Sequence, residues 1–151
     1  MKGRFVVAVA ALAFAGCAPE AKGPGAEAAH VRHEHFESLG KAFKALDTEA
    51  KKAAPDAAAM AASAATIDDL AHQLPTWFPA GSGPQDGVKT HAKPEVWTDA
   101  DAFAERARHL RDATGALRAA APEGVEAMRA KMKDVGAACG ACHKQFRAKG
   151  A

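Results

Sequence analysis

The sequence is poor in the residues that build β-sheets. It contains no Tyr, 2 Trp and 7 Phe, so that aromatic residues make up 6% of the chain although 48% of it is hydrophobic. Much of that hydrophobic content is Ala, which favours helices, whereas strands favour aromatic and β-branched residues. The composition argues against a sheet-rich fold and predicts a helical protein, with 151 residues enough for one compact domain and short for two.

The chain also lacks a strong excess of either charge. It has 20 Lys and Arg against 18 Asp and Glu, a formal net charge of +2, and no basic run stands out. This balance is unlike the basic surface of a nucleic-acid-binding domain. We therefore expect no nucleic acid among its partners.

A long apolar run occurs only at the N-terminus. Lys2 and Arg4 precede an uncharged stretch from Phe5 to Ala15, which is the layout of a secretory signal peptide and is too short to span a membrane. We assign residues 1–16 to this peptide and expect a periplasmic protein. Because its removal takes away Lys2 and Arg4 and no acid, the formal charge falls from +2 to zero.

Two kinds of cleavage fit the end of this segment. Ala13-Phe14-Ala15 offers small residues to an ordinary signal peptidase, whereas Phe14-Ala15-Gly16-Cys17 resembles a bacterial lipobox with Phe in place of the usual Leu. Lipidation of Cys17 would anchor the protein to the membrane surface; otherwise it is simply secreted. Residues 17–28, rich in Pro, Gly and Ala, are predicted to be a flexible tether before a folded domain at 29–151.

Apolar residues recur at helical spacing in four stretches. Pro55 and Pro75 are predicted to end the first two helices. The third helix is predicted to begin at Thr98 with Asp101, and the fourth is predicted to begin at Pro122. The Pro- and Gly-rich residues 75–97 are predicted to form a crossover between the second and third helices. The stripes are Phe36, Leu39, Phe43 and Leu46; Met60, Ala64, Ile67, Leu70 and Leu74; Phe103, Ala107, Leu110, Thr114, Leu117 and Ala121; and Val125, Met128, Met132, Val135, Cys139, Cys142 and Phe146. The pattern predicts an all-α fold, an antiparallel four-helix bundle.

The sequence has only 3 Cys, and two of them form the motif Cys139-Gly140-Ala141-Cys142-His143. On a helix, these three side chains project from one face within little more than a turn. C-x-x-C-H is the attachment signature of c-type haem, in which the two Cys form thioethers and the His ligates the iron. We therefore predict haem c attached to the last helix through Cys139 and Cys142, with His143 as its axial ligand.

Other chemistries of the motif are less well supported. A Cys139–Cys142 disulfide would be strained within one helical turn. A thioredoxin-like pair would need a βαβ context, and structural zinc would need a fourth ligand. Met128 and Met132 are interpreted as core residues, although a thioether ligand elsewhere in the bundle stays open.

From about Val31 to Lys149 the chain resembles the cytochrome c′ family, a four-helix class of c-type cytochromes. Several separated matches carry this resemblance. They are Arg32, Phe36, Leu39 and Gly40; Phe78-Pro79, Gly81 and Gly83; Ala92-Lys93-Pro94 and Val96-Trp97; Phe103; and Cys139, Cys142, His143, Phe146 and Arg147.

The resemblance implies roles for residues around the haem. In the family, the residue four positions after an Arg of the first helix covers the distal side, which places Phe36 there after Arg32. Phe has no lone pair for iron, so we expect five-coordinate iron that binds small diatomic gases such as NO and CO. Arg147 is expected beside the proximal imidazole, where its charge would tune the iron, or in solvent; Arg32 is expected at a haem propionate or on the surface.

Two functions follow, and both stay open. One is a gas-binding haem protein; the other is a low-spin, six-coordinate electron-transfer cytochrome with a His or Met sixth ligand, for which His33 lies three residues before Phe36. Otherwise His30, His33 and His35 form a solvated, weakly metal-binding patch. We expect no enzyme activity, because no clear distal acid or base is present. Redox proteins are expected partners, and the resemblance implies a homodimer.

Overall fold

The computed structural model describes residues 23–149, and within them the chain forms four long helices and one short one. They are α1 Pro24–Ala50, α2 Ala57–Gln73, α3 Glu95–Thr98, α4 Ala100–Ala119 and α5 Val125–Phe146. α3 is a single turn in the crossover, so the prediction of a four-helix bundle is confirmed. No described helix is long and apolar enough to cross a membrane.

Several boundaries differ from those predicted. α1 begins at Pro24, so residues 24–28 are helical and not part of a tether, and it ends at Ala50, ahead of Pro55. Pro24 suits the first turn of a helix, because a backbone N–H at that position has no hydrogen-bond partner within the helix. α5 begins at Val125 and not at Pro122, because Ala121–Glu123 forms a 3-10 turn and Gly124 follows with φ 99°.

The helices α4 and α2 begin in different ways. Thr98 does not cap α4: it closes α3, with its Oγ1 3.4 Å from the carbonyl of Pro94, and α4 starts at Ala100. Asp56 does cap α2, since its carboxylate accepts hydrogen bonds from the backbone N–H groups of Ala58 and Ala59 at 2.8 and 3.1 Å.

The predicted stripes meet in one core. Its largest fully buried apolar side chains come from all four long helices: Leu46, Met60, Ile67, Leu117, Met128 and Val135. Fully burying a side chain of this size contributes about 1.5–3 kcal/mol. Small residues on α2 and α4, such as Ala64 and Ala107, are also buried and let the helices approach closely.

The helices do not close the bundle evenly. α1 packs along α2, α2 along α4 and α4 along α5, whereas α1 and α5 touch at few points. Between α2 and α4, the buried Asp68 accepts hydrogen bonds from Thr114 at 2.8 Å and Arg118 at 3.3 Å. The bundle is therefore tied tightly on three sides and open on the α1–α5 side.

Candidate haem site

The open side of the bundle is a cleft with apolar walls. Phe36 and Phe43 on α1 and Met132, Cys139 and Cys142 on α5 are half-buried and pack against the core from this side. Toward the C-terminal end of α1, a groove of about 330 Å³ separates the two helices, with Phe43 and Met132 in its lining. A cleft that leaves apolar side chains partly exposed suits a large apolar ligand.

Both cysteines of the motif lie on the cleft side of α5, near its C-terminal end. Their thiols are free and half-buried. Burial raises the pKa of Cys139, and burial followed by the nearby Cys139 raises the pKa of Cys142 to about 11. Neutral, half-buried thiols are unlike the exposed thiolates of a redox pair. A structural zinc needs four ligands, and within residues 23–149 no group of three or more His, Cys, Asp or Glu side chains could hold a metal ion.

His143 follows the second cysteine and is exposed at the edge of the cleft. Partial burial, and then the positive charge of Arg147, lower the pKa of His143. A lowered pKa keeps the imidazole neutral at physiological pH, which is the form that ligates iron. The charge of Arg147 thus reaches His143, and its tuning of a bound iron stays a prediction.

Glycines leave bare backbone on both walls of the cleft. A Cβ placed on Gly40 of α1, or on Gly136 or Gly140 of α5, would have no heavy atom within 4 Å. Gly136 and Gly140 lie one turn apart on α5. Cys139 directly precedes Gly140, and His143 follows it by three residues. This bare surface, two neutral thiols and a neutral imidazole on the same stretch of helix fit a flat, covalently held macrocycle.

The end of α5 is held by a segment of the crossover. The backbone N–H of Lys93 donates to the carbonyl of Phe146 at 2.9 Å, and that of Ala148 donates to the carbonyl of His91 at 2.9 Å, forming a short antiparallel bridge. The Lys93 ammonium also donates to the carbonyl of Gln145 at 3.1 Å. Sequence reasoning missed this role, because a lysine 52 residues from its partner gives no local signal.

The opposite wall carries Phe36 in a cluster of aromatic rings. Its ring meets Trp77 edge-on at 5.1 Å between centroids and Phe78 at 6.1 Å. Trp77 is buried and stacks against His35 at 4.7 Å. Phe36 is thus both a packed aromatic residue and part of the cleft wall. Trp77, which contacts it, was not assigned to the site from the sequence.

Arg32 is buried, which contradicts the predicted surface position. Only 3% of it is exposed, and its guanidinium donates to the carbonyls of Trp77 and Ser82 and to the hydroxyls of Ser82 and Thr90 at 2.9–3.1 Å. It also lies over the ring of Phe78 at 4.7 Å. It is not a surface residue, because it fastens α1 to the crossover; a contact with a haem propionate stays a prediction.

The alternative sixth ligands are poorly placed. His33 is exposed, and its Nε2 lies 3.4 Å from a carboxylate oxygen of Glu37, so its ring is engaged on the solvent side of α1. Met60 and Met128 are fully buried in the core. Met132 lies on α5, 11 residues before His143 and so about 16 Å away along the same helix. Cys17, the predicted lipid site, lies outside the described residues, as does the whole of the predicted signal peptide.

A helical bundle that presents a C-x-x-C-H motif to an open apolar cleft defines the class of bundle-type c-type cytochromes. The model of the family described as Cytochrome C' matches residues 27–147. A cytochrome c′ of Cereibacter sphaeroides is 36% identical over 129 residues, which cover 82% of this chain and 87% of that protein. The chain belongs to the cytochrome c′ family, and its cofactor is covalently attached haem c.

Other relatives agree with this assignment. A protein named cytochrome c-554 from Cereibacter sphaeroides is 31% identical over 120 residues, covering 78% of each chain. A solved cytochrome c′ with ligand-controlled dimer dissociation has a TM-score of 0.76 at 28% identity and covers 85% of this chain and 100% of its own. A ferrous variant of the Alcaligenes xylosoxidans protein with bound NO has a TM-score of 0.74 at 28% identity, covering 83% of this chain and 96% of that one.

Proposed function

We propose that the protein binds NO and CO at a five-coordinate haem iron, and that it can also carry one electron. Cys139 and Cys142 hold the haem through thioethers, and His143 supplies the one protein ligand to iron. The observation that carries the proposal is Phe36, which stands on the wall opposite α5 among aromatic rings and offers no lone pair.

Each residue of the site has a definable part in this function. His143, neutral and positioned by the bridge that holds the end of α5, donates its lone pair to the iron. Arg147 lowers the basicity of that imidazole through its charge. Phe36 covers the opposite side with an apolar face, which suits uncharged diatomics and gives bound dioxygen no hydrogen bond.

The proposal is tested by the optical spectrum of the purified holoprotein, ferric and then dithionite-reduced. Five-coordinate iron gives a high-spin ferric spectrum and a broad, unsplit reduced band, and NO or CO then shifts it. Sharp, split reduced bands would show a sixth protein ligand and would replace this proposal with the low-spin electron carrier.

A substitution at Phe36 tests the distal assignment directly. In Phe36→Met the thioether would face the iron, so we expect a low-spin spectrum and at least tenfold weaker CO binding because the ligand must displace sulfur. The matched variant Phe36→Leu has similar bulk and no lone pair, and should stay high-spin. If Phe36→Met also stays high-spin and binds CO as the wild type does, Phe36 is not the distal residue.

The location and partners of the protein are part of the same proposal. The leader at residues 1–16 directs the chain to the periplasm, where it exchanges electrons with redox proteins and, like its dimeric relative, forms a homodimer. We propose a binding and electron-transfer role and no enzyme activity. The mass of the mature protein will show whether Cys17 carries lipid.

A further inference from the structure

Two stretches of the chain that meet beside His143 contain cations and no acid. Residues 87–94 include Lys89, His91 and Lys93, and residues 135–149 include Lys144, Arg147 and Lys149, but neither range contains Asp or Glu. Elsewhere in the mature chain the charges are mixed, since its formal net charge is zero. The five Lys and Arg residues of these two stretches therefore leave an excess of acid over the rest of the mature chain.

The fold joins these stretches into one surface. The bridge between Ala92 and Arg147, with hydrogen bonds of 2.9 Å on each side of it, places His91 and Lys93 next to the last turn of α5. We call the six side chains the basic patch: Lys89, His91, Lys93, Lys144, Arg147 and Lys149. His143, one residue before Lys144, lies within this surface.

The patch is largely exposed to solvent. Lys89, His91, Lys144, Arg147 and Lys149 are exposed. None of the ion pairs found among residues 23–149 involves Lys89, Lys93, Lys144 or Lys149. At other places on the surface Lys41, Lys51 and Lys52 are each paired with a carboxylate, whereas Lys44, Lys131 and Lys133 are in none of these ion pairs either. The patch is set apart because neither of its two stretches contains an acid.

We propose that the basic patch is the docking surface for an acidic electron-transfer protein. The inference rests on the proposed function, because it takes His143 to mark the position of the iron. A partner held there by opposite charge has its redox centre next to the haem, and like-charged proteins are repelled. The observations favour a protein over a membrane: the one large hydrophobic side chain exposed among the described residues, Val31, lies on α1 outside the patch, which leaves no apolar anchor for a bilayer.

The test measures electron transfer from the ferrous holoprotein to an acidic plastocyanin by stopped flow. One electron leaves Fe(II), giving Fe(III), and reduces the Cu(II) of plastocyanin to Cu(I). We expect Lys144→Glu and Lys89→Glu each to lower the second-order rate constant about threefold at low salt, and the difference to disappear near 0.5 M salt because opposite charges are then screened.

Lys131→Glu is the matched control, since it makes the same charge change on the exposed surface of α5, 13 residues before Lys144. It should leave the rate near that of the wild type. With the cationic oxidant tris(phenanthroline)cobalt(III), reduced to cobalt(II), the patch variants should react faster than the wild type and the control should not.

Three results would overturn the proposal. The first is a loss of rate with plastocyanin in Lys131→Glu as large as that in the patch variants. The second is a rate in the two patch variants that shows no salt-dependent loss. The third is that the patch variants lose binding to phosphatidylglycerol vesicles while their kinetics with plastocyanin stay unchanged. Each variant's spectrum is recorded first. Intact haem and wild-type coordination separate a failure of docking from a failure of the proposed haem function.

Discussion

At the scale of single residues, burial decides what Arg32 does. A guanidinium with donors in a rigid fork can satisfy two carbonyls and two hydroxyls at once, and the crossover supplies all four acceptors. One of them is the carbonyl of Trp77, whose ring touches Phe36. Arg32 is thus connected to the distal wall through backbone that it holds in place.

This role predicts the effect of a conservative substitution. In Arg32→Lys the ammonium cannot reach all four acceptors, so buried groups lose partners and the free energy of unfolding should fall by about 2–4 kcal/mol. The measurement is urea denaturation of the holoprotein, with the exposed Arg108→Lys as control. If Arg32 instead bound a propionate, the reduction potential would change with little loss of stability, and the anchoring role would be wrong.

At the scale of elements, the turn between α1 and α2 is fastened by a carboxylate at the end of the first helix. Glu49 accepts a hydrogen bond from the backbone N–H of Asp56 at 2.8 Å and pairs with Lys52. The hydrogen bond from Lys52, and then that from the Asp56 backbone, lower the pKa of Glu49. Ionised Glu49 therefore stabilises the fold above the pKa that this group has in the unfolded chain. This stabilisation is lost as the pH falls through the pKa that Glu49 has in the folded protein.

The lowered pKa of Glu49 determines how the stability of a Glu49 variant should change with pH. Glu49→Gln should lower the urea midpoint at pH 7 and should match the wild type once the pH is below the folded pKa of Glu49, because both side chains are then neutral. Glu123→Gln, which changes an exposed carboxylate, should leave both midpoints unchanged. A difference between Glu49→Gln and wild type that persists at low pH would contradict the assignment.

At the scale of the whole molecule, the weak contact between α1 and α5 predicts that haem bound between these helices contributes to the stability of the fold. Three helix pairs are tied by their own side chains, whereas the fourth side presents half-buried apolar residues to the cleft. A ligand in this cleft replaces the helix contacts that are missing there. Loss of the haem should therefore destabilise α1 and the end of α5 more than α2 and α4.

Removing the haem tests this expectation. In the variant Cys139→Ala/Cys142→Ala, amide hydrogen exchange should become faster in α1 around Phe36 and in the last turns of α5, while α2 and α4 keep most of their protection. Mass spectrometry of peptides compares the variant with the holoprotein. A uniform increase across all four long helices would show that the haem stabilises the bundle as a whole and not the cleft.

The sequence by itself determined the helical class, the four stripes and the haem motif, because these depend on composition and on spacing within one helix. Tertiary structure alone decided the rest. The burial of Arg32 against the crossover and the contact of Lys93 with the end of α5 depend on which distant groups come together. Periodicity places a side chain on a face of its helix, but its partner across the bundle is set only when the helices pack.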